Sequence, residues 1–317
     1  MSLWRKVDEA GDISQYHPPM KDETLPHIIF VCGTRHSGSN LLLDFLSVPR
    51  NAGWIPERLA EQPKRLSIAR SVHRQNWPLL GEFFLERRNV WKSLPEPASD
   101  SRFLAHYLSN FEGKTGQTLM PGPEHVSDQE VEALREAVKS VAFWQRRNNV
   151  VIGYEDLPRF QMLRHIFPEA KFIQTIRDPR SVAYQMIRKI MKVDHPLLNQ
   201  RKQYIDLMPE VLQQRLQDLP DTPISFCGVY TRWVHEVYKQ EMSELPEGDQ
   251  LEVAYSDLMS RPEVTLKKTL KFAGFPFDKR FKYYLKFHDI QVSNLRVNRN
   301  LSTEEAEQLA QAVAPIE

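Results

Sequence analysis

The hydrophobic pattern alternates between short, wholly apolar runs and longer stretches with helical spacing. Ile28 to Cys32 is apolar throughout, with Pro26 before it and Gly33 after it. Such a run matches a strand of a parallel sheet covered on both faces, and the glycine stop favours strand over helix. Leu41 to Leu46, beyond the loop Gly33 to Gly38, suits a helix that Pro49 ends. The alternation recurs further on. Val150 to Ile152 predicts a strand, Pro158 to Phe167 a helix and Lys171 to Ile176 a second strand, joined through Pro168-Glu169-Ala170. Leu251 to Tyr255 predicts a last strand before a helix from about Pro262 to Ala273, with Gly274 at its C-terminal end. Strands alternating with helices predict an α/β fold of three layers, a parallel sheet flanked by helices.

Residues 1–24 are polar and Pro-containing and read as a loose N-terminal tail, leaving 25–317 as a single domain. Two stretches, about 60–149 and 195–245, read as mostly helical insertions. The clearest helix in them starts at Ser127, where Ser127-Asp128-Gln129-Glu130 forms a capping box ahead of Val131, Leu134, Val138 and Val141. Insertions of this kind cover a site on the sheet edge, serve as scaffold, or offer surface for a homodimer.

Charge changes the picture by exclusion. With 42 Lys+Arg against 41 Asp+Glu the net charge is +1, so no global field draws the protein to nucleic acid or anionic membrane. Clusters such as Arg146-Arg147 and Lys267-Lys268 read as solvated helix faces. Two cysteines, Cys32 and Cys227, build neither a disulfide framework nor a four-cysteine zinc site, and no metal is expected. A reducing compartment fits them. The N-terminus has no apolar h-region and no window reaches the roughly 18 apolar residues of a membrane helix, so a cytoplasmic protein without a membrane span is expected. Trp233 reads as a core residue.

Candidate chemistry concentrates at Gly33-Thr34-Arg35-His36-Ser37-Gly38-Ser39-Asn40, between a strand and a helix. A loop in that place turns backbone N–H groups inward and points a helix N-terminus at the same spot, which is how a phosphate is held. Ser37, Ser39 and Asn40 add side-chain donors; Arg35 and His36 add charge. An NTP-binding loop has Lys and then Ser or Thr after its second glycine, whereas Ser39-Asn40 follows Gly38 here. The absence of that lysine, and of a clear apolar run ending in a magnesium-holding Asp, weakens a kinase reading.

These residues resemble the first signature of the sulfotransferases that use 3'-phosphoadenylyl sulfate (PAPS), G-x-P-[RK]-S-G-[ST]-T-x-L. His36 replaces the family's basic residue, Arg35 its proline and Asn40 its threonine. Phe172 to Ala183 is similar to the family's 3'-phosphate motif, a strand followed by R-[DN]-P-[RK]-D-x-[AL]; the resemblance implies that Arg177 contacts the 3'-phosphate and that Gln185 stands where relatives carry a serine. Leu251 to Pro262 is similar to a strand ending in Y-E-D-L, which implies that Tyr255 lies near the nucleotide. The basic loop before the capping box Ser302 to Glu305 resembles the family's closing loop, with Arg296 as its arginine. The implied fold is a P-loop NTPase-like sulfotransferase fold with helical insertions.

The resemblance also implies a reaction. Sulfonate transfer needs a base beside the acceptor hydroxyl, and several branches of the family place a glutamate where Glu57 stands, in a segment, 51–58, expected to return along a strand edge. Glu61 competes for that role, and a surface pair with Arg58 is the plain alternative for Glu57. In the implied mechanism Ser37 to Asn40 cradle the 5'-phosphate, His36 and Arg35 stabilise developing charge, and Glu57 deprotonates the acceptor during in-line attack, with PAPS as donor and PAP (3'-phosphoadenosine 5'-phosphate) as product. A carbohydrate or other small hydroxylated metabolite is the expected acceptor. Two further readings stay open: a P-loop small-molecule kinase using ATP and magnesium, and a non-catalytic nucleotide-binding relative.

Overall fold

The computed structural model describes residues 25–76, 96–99, 101–109, 122–155, 157–190, 196–277, 281, 282, 285 and 301–316. The tail at 1–24 lies outside the described residues. Five strands, β1 (His27–Cys32), β2 (Ala52–Trp54), β3 (Asn149–Tyr154), β4 (Lys171–Ile176) and β5 (Gln250–Ala254), form one sheet in the order β2-β3-β1-β4-β5. Every pairing is parallel. The helices are α1 (Ser39–Leu46), α2 (Glu57–Glu61), α3 (Arg102–Tyr107), α4 (Asp128–Gln145), α5 (Phe160–Ile166) and α6 (Pro179–Ile190). They continue as α7 (Pro196–Asn199), α8 (Arg201–Leu207), α9 (Glu210–Asp218), α10 (Pro223–Ser243), α11 (Tyr255–Ser260), α12 (Pro262–Phe272) and α13 (Thr303–Ala312).

A strand that is apolar at every position has two faces to bury, and β1 does so. Ile28, Phe30 and Cys32 join the core under α4, α5, α6, α10 and α13. Ile29 and Val31, pointing the other way, join the core under α1, α11 and α12. Phe30 stacks on Phe172 of β4 at 5.3 Å, and Phe160 of α5 packs on Phe172 at 5.0 Å. The apolar face of α1, Leu42, Leu43, Phe45 and Leu46, is fully buried on the opposite side.

Both expected insertions are helical in their described parts. The capping box at Ser127 forms, with Ser127 N donating to Glu130 Oε2 at 2.9 Å and Glu130 N to Ser127 Oγ at 3.3 Å. Val131, Leu134, Val138 and Val141 all face the core, and so does Trp233. Gln145, the last residue of α4, reaches back to β2: its Nε2 donates to Trp54 O at 2.6 Å and its Oε1 accepts from Trp54 N at 2.9 Å. These bonds satisfy backbone groups of a strand that has a partner on one side only. At the other end of the chain α13 docks on α10. Gly228 lies so close to Ala312 that a Cβ there would come within 2.4 Å, while Gln308 Nε2 donates to Thr222 Oγ1 at 2.6 Å and to Ser225 Oγ at 2.7 Å.

One boundary differs from expectation. The last strand ends at Ala254, and Tyr255 opens α11 instead of closing β5. Polar Ser256 and Asp257 follow it and start a helical turn, Arg261 N closing on Asp257 O at 2.9 Å. Among the described residues no helix is long and apolar enough to cross a membrane. Cys32 and Cys227 are both buried free thiols, and burial pushes the Cys227 thiol up to about 12.

Candidate active site

Parallel strands present their carboxyl ends at one edge, and β1 sits where the chain crosses to β3 on one side and to β4 on the other. Ligands of open α/β sheets bind at such a switch point. The loop from Gly33 to Gly38 leaves β1 there and enters α1.

The loop is shaped by close approach. A Cβ on Gly33 would fall 2.4 Å from both Ser37 Oγ and Thr175 Oγ1. Gly38 has φ +103°, and its missing Cβ would fall 2.5 Å from the Tyr255 ring. His36 takes the left-handed conformation at φ +69°, a region that costs a non-glycine residue about 1 kcal/mol or more. Ser37 is wholly buried. Its Oγ lies 2.7 Å from Thr175 Oγ1 on β4, and its N–H donates to Thr34 O at 2.9 Å. Ser37 thus braces the loop from beneath. Gly38, Ser39 and Asn40 stand at the start of α1, where backbone N–H groups have no intrahelical partner and the helix dipole favours an anion.

Arg177 and Tyr255 converge on this loop from the ends of β4 and β5. The Arg177 Nη1 donates to His36 O at 2.9 Å, and its guanidinium lies 4.1 Å from the centroid of the Tyr255 ring. Burial lowers the Arg177 pKa, opposed by Tyr255 and Asp178. A planar cation pressed on an aromatic face is fixed in orientation as well as place. Gln185 lies in the second turn of α6, the helix that begins just after Arg177, and Arg35 is exposed at the loop's rim. Arg296 lies outside the described residues.

Glu57 is set apart from the loop. It opens α2 beyond the edge strand β2, its N–H donating to Glu96 O at 2.8 Å. Its carboxylate pairs with Arg102 of α3, with both side chains about two-fifths exposed. The partner comes from the insertion and is not the adjacent Arg58. Segment 51–58 does return along the sheet edge as expected, through β2.

Three participants escaped the sequence reading: Thr175, Arg102 and Glu155. Glu155 follows β3, its carboxylate accepting from Ser39 Oγ and from Asn40. Burial raises its pKa, against the lowering effects of Ser39, Arg35, Lys189 and Asn40. An apolar run, Val150 to Tyr154, leads into Glu155, and β3 lies directly beside β1. The run was legible; its adjacency to the loop was not, because it depends on which strands pair.

A sulfotransferase family model matches residues 26–279. The fold is similar to that of sulfotransferase STF9 from Mycobacterium avium, with a TM-score of 0.52 at 10% identity, over 97% of this chain and 79% of that one. It is likewise similar to sulfotransferase STF1 from Mycobacterium tuberculosis, with a TM-score of 0.51 at 14% identity, over 98% and 80% of the two chains. No curated protein matches at a significant level. At such low identity the solved structures speak for the fold alone, while the family match spans most of the chain and covers the loop, Arg177 and Tyr255 together: this chain belongs to the sulfotransferase family.

Proposed function

We propose that this enzyme takes PAPS as its donor and transfers the sulfonate to an acceptor hydroxyl. The observation that carries this reading is the convergence of the β1 loop, Arg177 and Tyr255 on one spot at the carboxyl edge of the sheet. The residues suit a nucleotide that bears phosphates. The start of α1 offers backbone donors, a half-buried guanidinium stands beside them, and Gly38, lacking a Cβ, lets the Tyr255 ring close on the loop.

When bound, the donor supplies an activated sulfonate on a phosphosulfate anhydride. Gly38, Ser39 and Asn40 hold the 5'-phosphate end, and Arg35 and His36 stabilise negative charge developing at the transferred group. Arg177 orients the 3'-phosphate with Gln185 of the following helix, Tyr255 holds the Arg177 plane, and Arg296 is the further basic residue that the family resemblance offers the nucleotide. Glu57 takes the proton of the acceptor hydroxyl as the new oxygen–sulfur bond forms in line with the one that breaks. The polar, half-open surroundings of Glu57 and Arg102 favour a carbohydrate or other small hydroxylated metabolite as acceptor. A single domain over 25–317 is supported by Leu309 and Ala312 sharing a hydrophobic cluster with Ile28.

A second reading has one observation in its favour: Glu155 at the end of β3, beside the loop, is where a P-loop kinase would keep an acid for magnesium. Isothermal titration with PAP and, separately, with ATP plus magnesium distinguishes the two. PAP binding that weakens about 100-fold in Arg177→Ala is expected, from losing a charge-assisted contact. Binding of ATP with magnesium alone would replace the sulfotransfer reading with the kinase one.

A further inference from the structure

Granted Glu57 as the base proposed above, we propose that Arg102 is its positioning residue: the guanidinium clamps one carboxylate oxygen so that the other is aimed at the acceptor hydroxyl. Arg102 donates through Nη2 to Glu57 Oε1. Among the described residues nothing bonds Glu57 Oε2. A carboxylate held at one oxygen and open at the other suits proton removal, which needs an accepting lone pair that is both accessible and fixed in direction.

Both ends of this clamp are set by backbone. Segment 96–99 of the insertion runs antiparallel to the stretch that leads into α2. Glu57 N donates to Glu96 O at 2.8 Å, Ala98 N donates to Ile55 O at 2.7 Å, and Pro56 bridges Pro97 between them. The same segment lies against β3, where a Cβ on Gly153 would fall 2.5 Å from Ala98 O and 2.8 Å from Ser99 Cα. Behind the pair, Leu59 and Ala60 of α2 share a core with Phe103 and Leu104 of α3. The two helices are thus held in place whether or not Glu57 and Arg102 meet.

An ion pair between side chains this exposed adds little to stability. What the guanidinium adds is direction. Its planar fork fixes the carboxylate it meets, where an ammonium would act as a point charge free to turn. A reacting group displaced by about 1 Å can lose about 100-fold in rate. Direction at Glu57 therefore shows in turnover, and not in folding or nucleotide binding.

The test follows sulfate release from saturating PAPS by the full-length protein, with water as the acceptor, beside PAP affinity and the denaturant unfolding midpoint. Arg102→Met is expected to release sulfate about 10- to 100-fold more slowly, with PAP affinity and midpoint close to wild type. Arg102→Lys should recover part of the rate, because it restores the charge without the fork. In the double variant Glu57→Gln/Arg102→Met the rate should match that of Glu57→Gln alone within about twofold, since a positioning residue then has nothing to position. A wild-type rate in Arg102→Met, full recovery in Arg102→Lys, losses that multiply in the double variant, or a loss accounted for by weaker PAP binding would overturn the proposal. Glu57→Gln releasing sulfate as fast as wild type, or a wild type no faster than PAPS alone, would instead bring down Glu57 as the base and the proposal with it.

Discussion

The loop after β1 and the turn after β2 are both strand-to-helix connections at the same edge of the sheet, yet they are held in different ways. The β1 loop leaves a central strand and is braced by residues from three others: Thr175 on β4 and Arg177 just after it, Tyr255 after β5, Glu155 after β3. Ser37 inside it has no exposed surface. The Glu57 turn leaves an edge strand with one partner, and its carboxylate is held by an arginine from an insertion, both about two-fifths exposed. Where the same group must be bound at every turnover, neighbours on both sides can enforce geometry. At the edge strand the holding residue comes instead from an insertion, the kind of segment that varies most readily.

If the contrast is real, the two ends fail differently. Glu57→Gln should lower kcat by about 10²- to 10⁴-fold and leave PAP affinity within about twofold, as expected for a lost base. Unchanged kcat would mean that proton removal is done elsewhere. Gly38→Ala attacks the braced end. With φ +103° and the Tyr255 ring 2.5 Å from the new Cβ, it should cost about 2–4 kcal/mol in denaturant unfolding and weaken PAP binding in parallel. A variant of wild-type stability would show the loop to be softer than its packing.

Two smaller changes sharpen the contrast by leaving both ends alone. Gly228→Ala pushes α13 off α10 and should lower stability by about 1–3 kcal/mol without altering PAP affinity. Lost affinity would tie the C-terminal helix to the site. Glu130→Gln should have the least effect. Burial raises the Glu130 pKa, but hydrogen bonds from Ser109 and Ser127 outweigh it and bring it down to about 2. A depressed carboxyl pKa gives stability that is present above the ordinary value near 4.5 and is lost as pH falls towards about 2. Screened by solvent, that amounts to no more than about 1 kcal/mol. The variant's unfolding midpoint should therefore differ from wild type at pH 7 and converge with it near pH 2.

Much of the scaffold was legible because its signals are local. The strand boundaries at Lys171 and Ile176, the helix start at Pro179 and the capping boxes at Ser127 and Ser302 depend on neighbouring residues only. The loop was legible for the same reason, glycines and hydroxyls standing between an apolar run and a helix. The end of the last strand was misplaced at Tyr255 because β-propensity favours tyrosine there, whereas its ring is claimed by Gly38 and Arg177. Ser37 was singled out for its hydroxyl, but its partner Thr175 stands 138 positions away, where no local signal points to it.

Residue pattern alone determined that this chain is a parallel α/β protein with a loop of glycines and hydroxyls after its first strand, since alternation, capping and glycine placement act within a few residues of each other. Tertiary structure decided which acid meets that loop and which base partner Glu57 receives. Both choices depend on strand order and on the docking of an insertion. β3 pairs with β1 across 122 positions, His27 with Asn149 among the first, and no local propensity encodes a contact made at that separation.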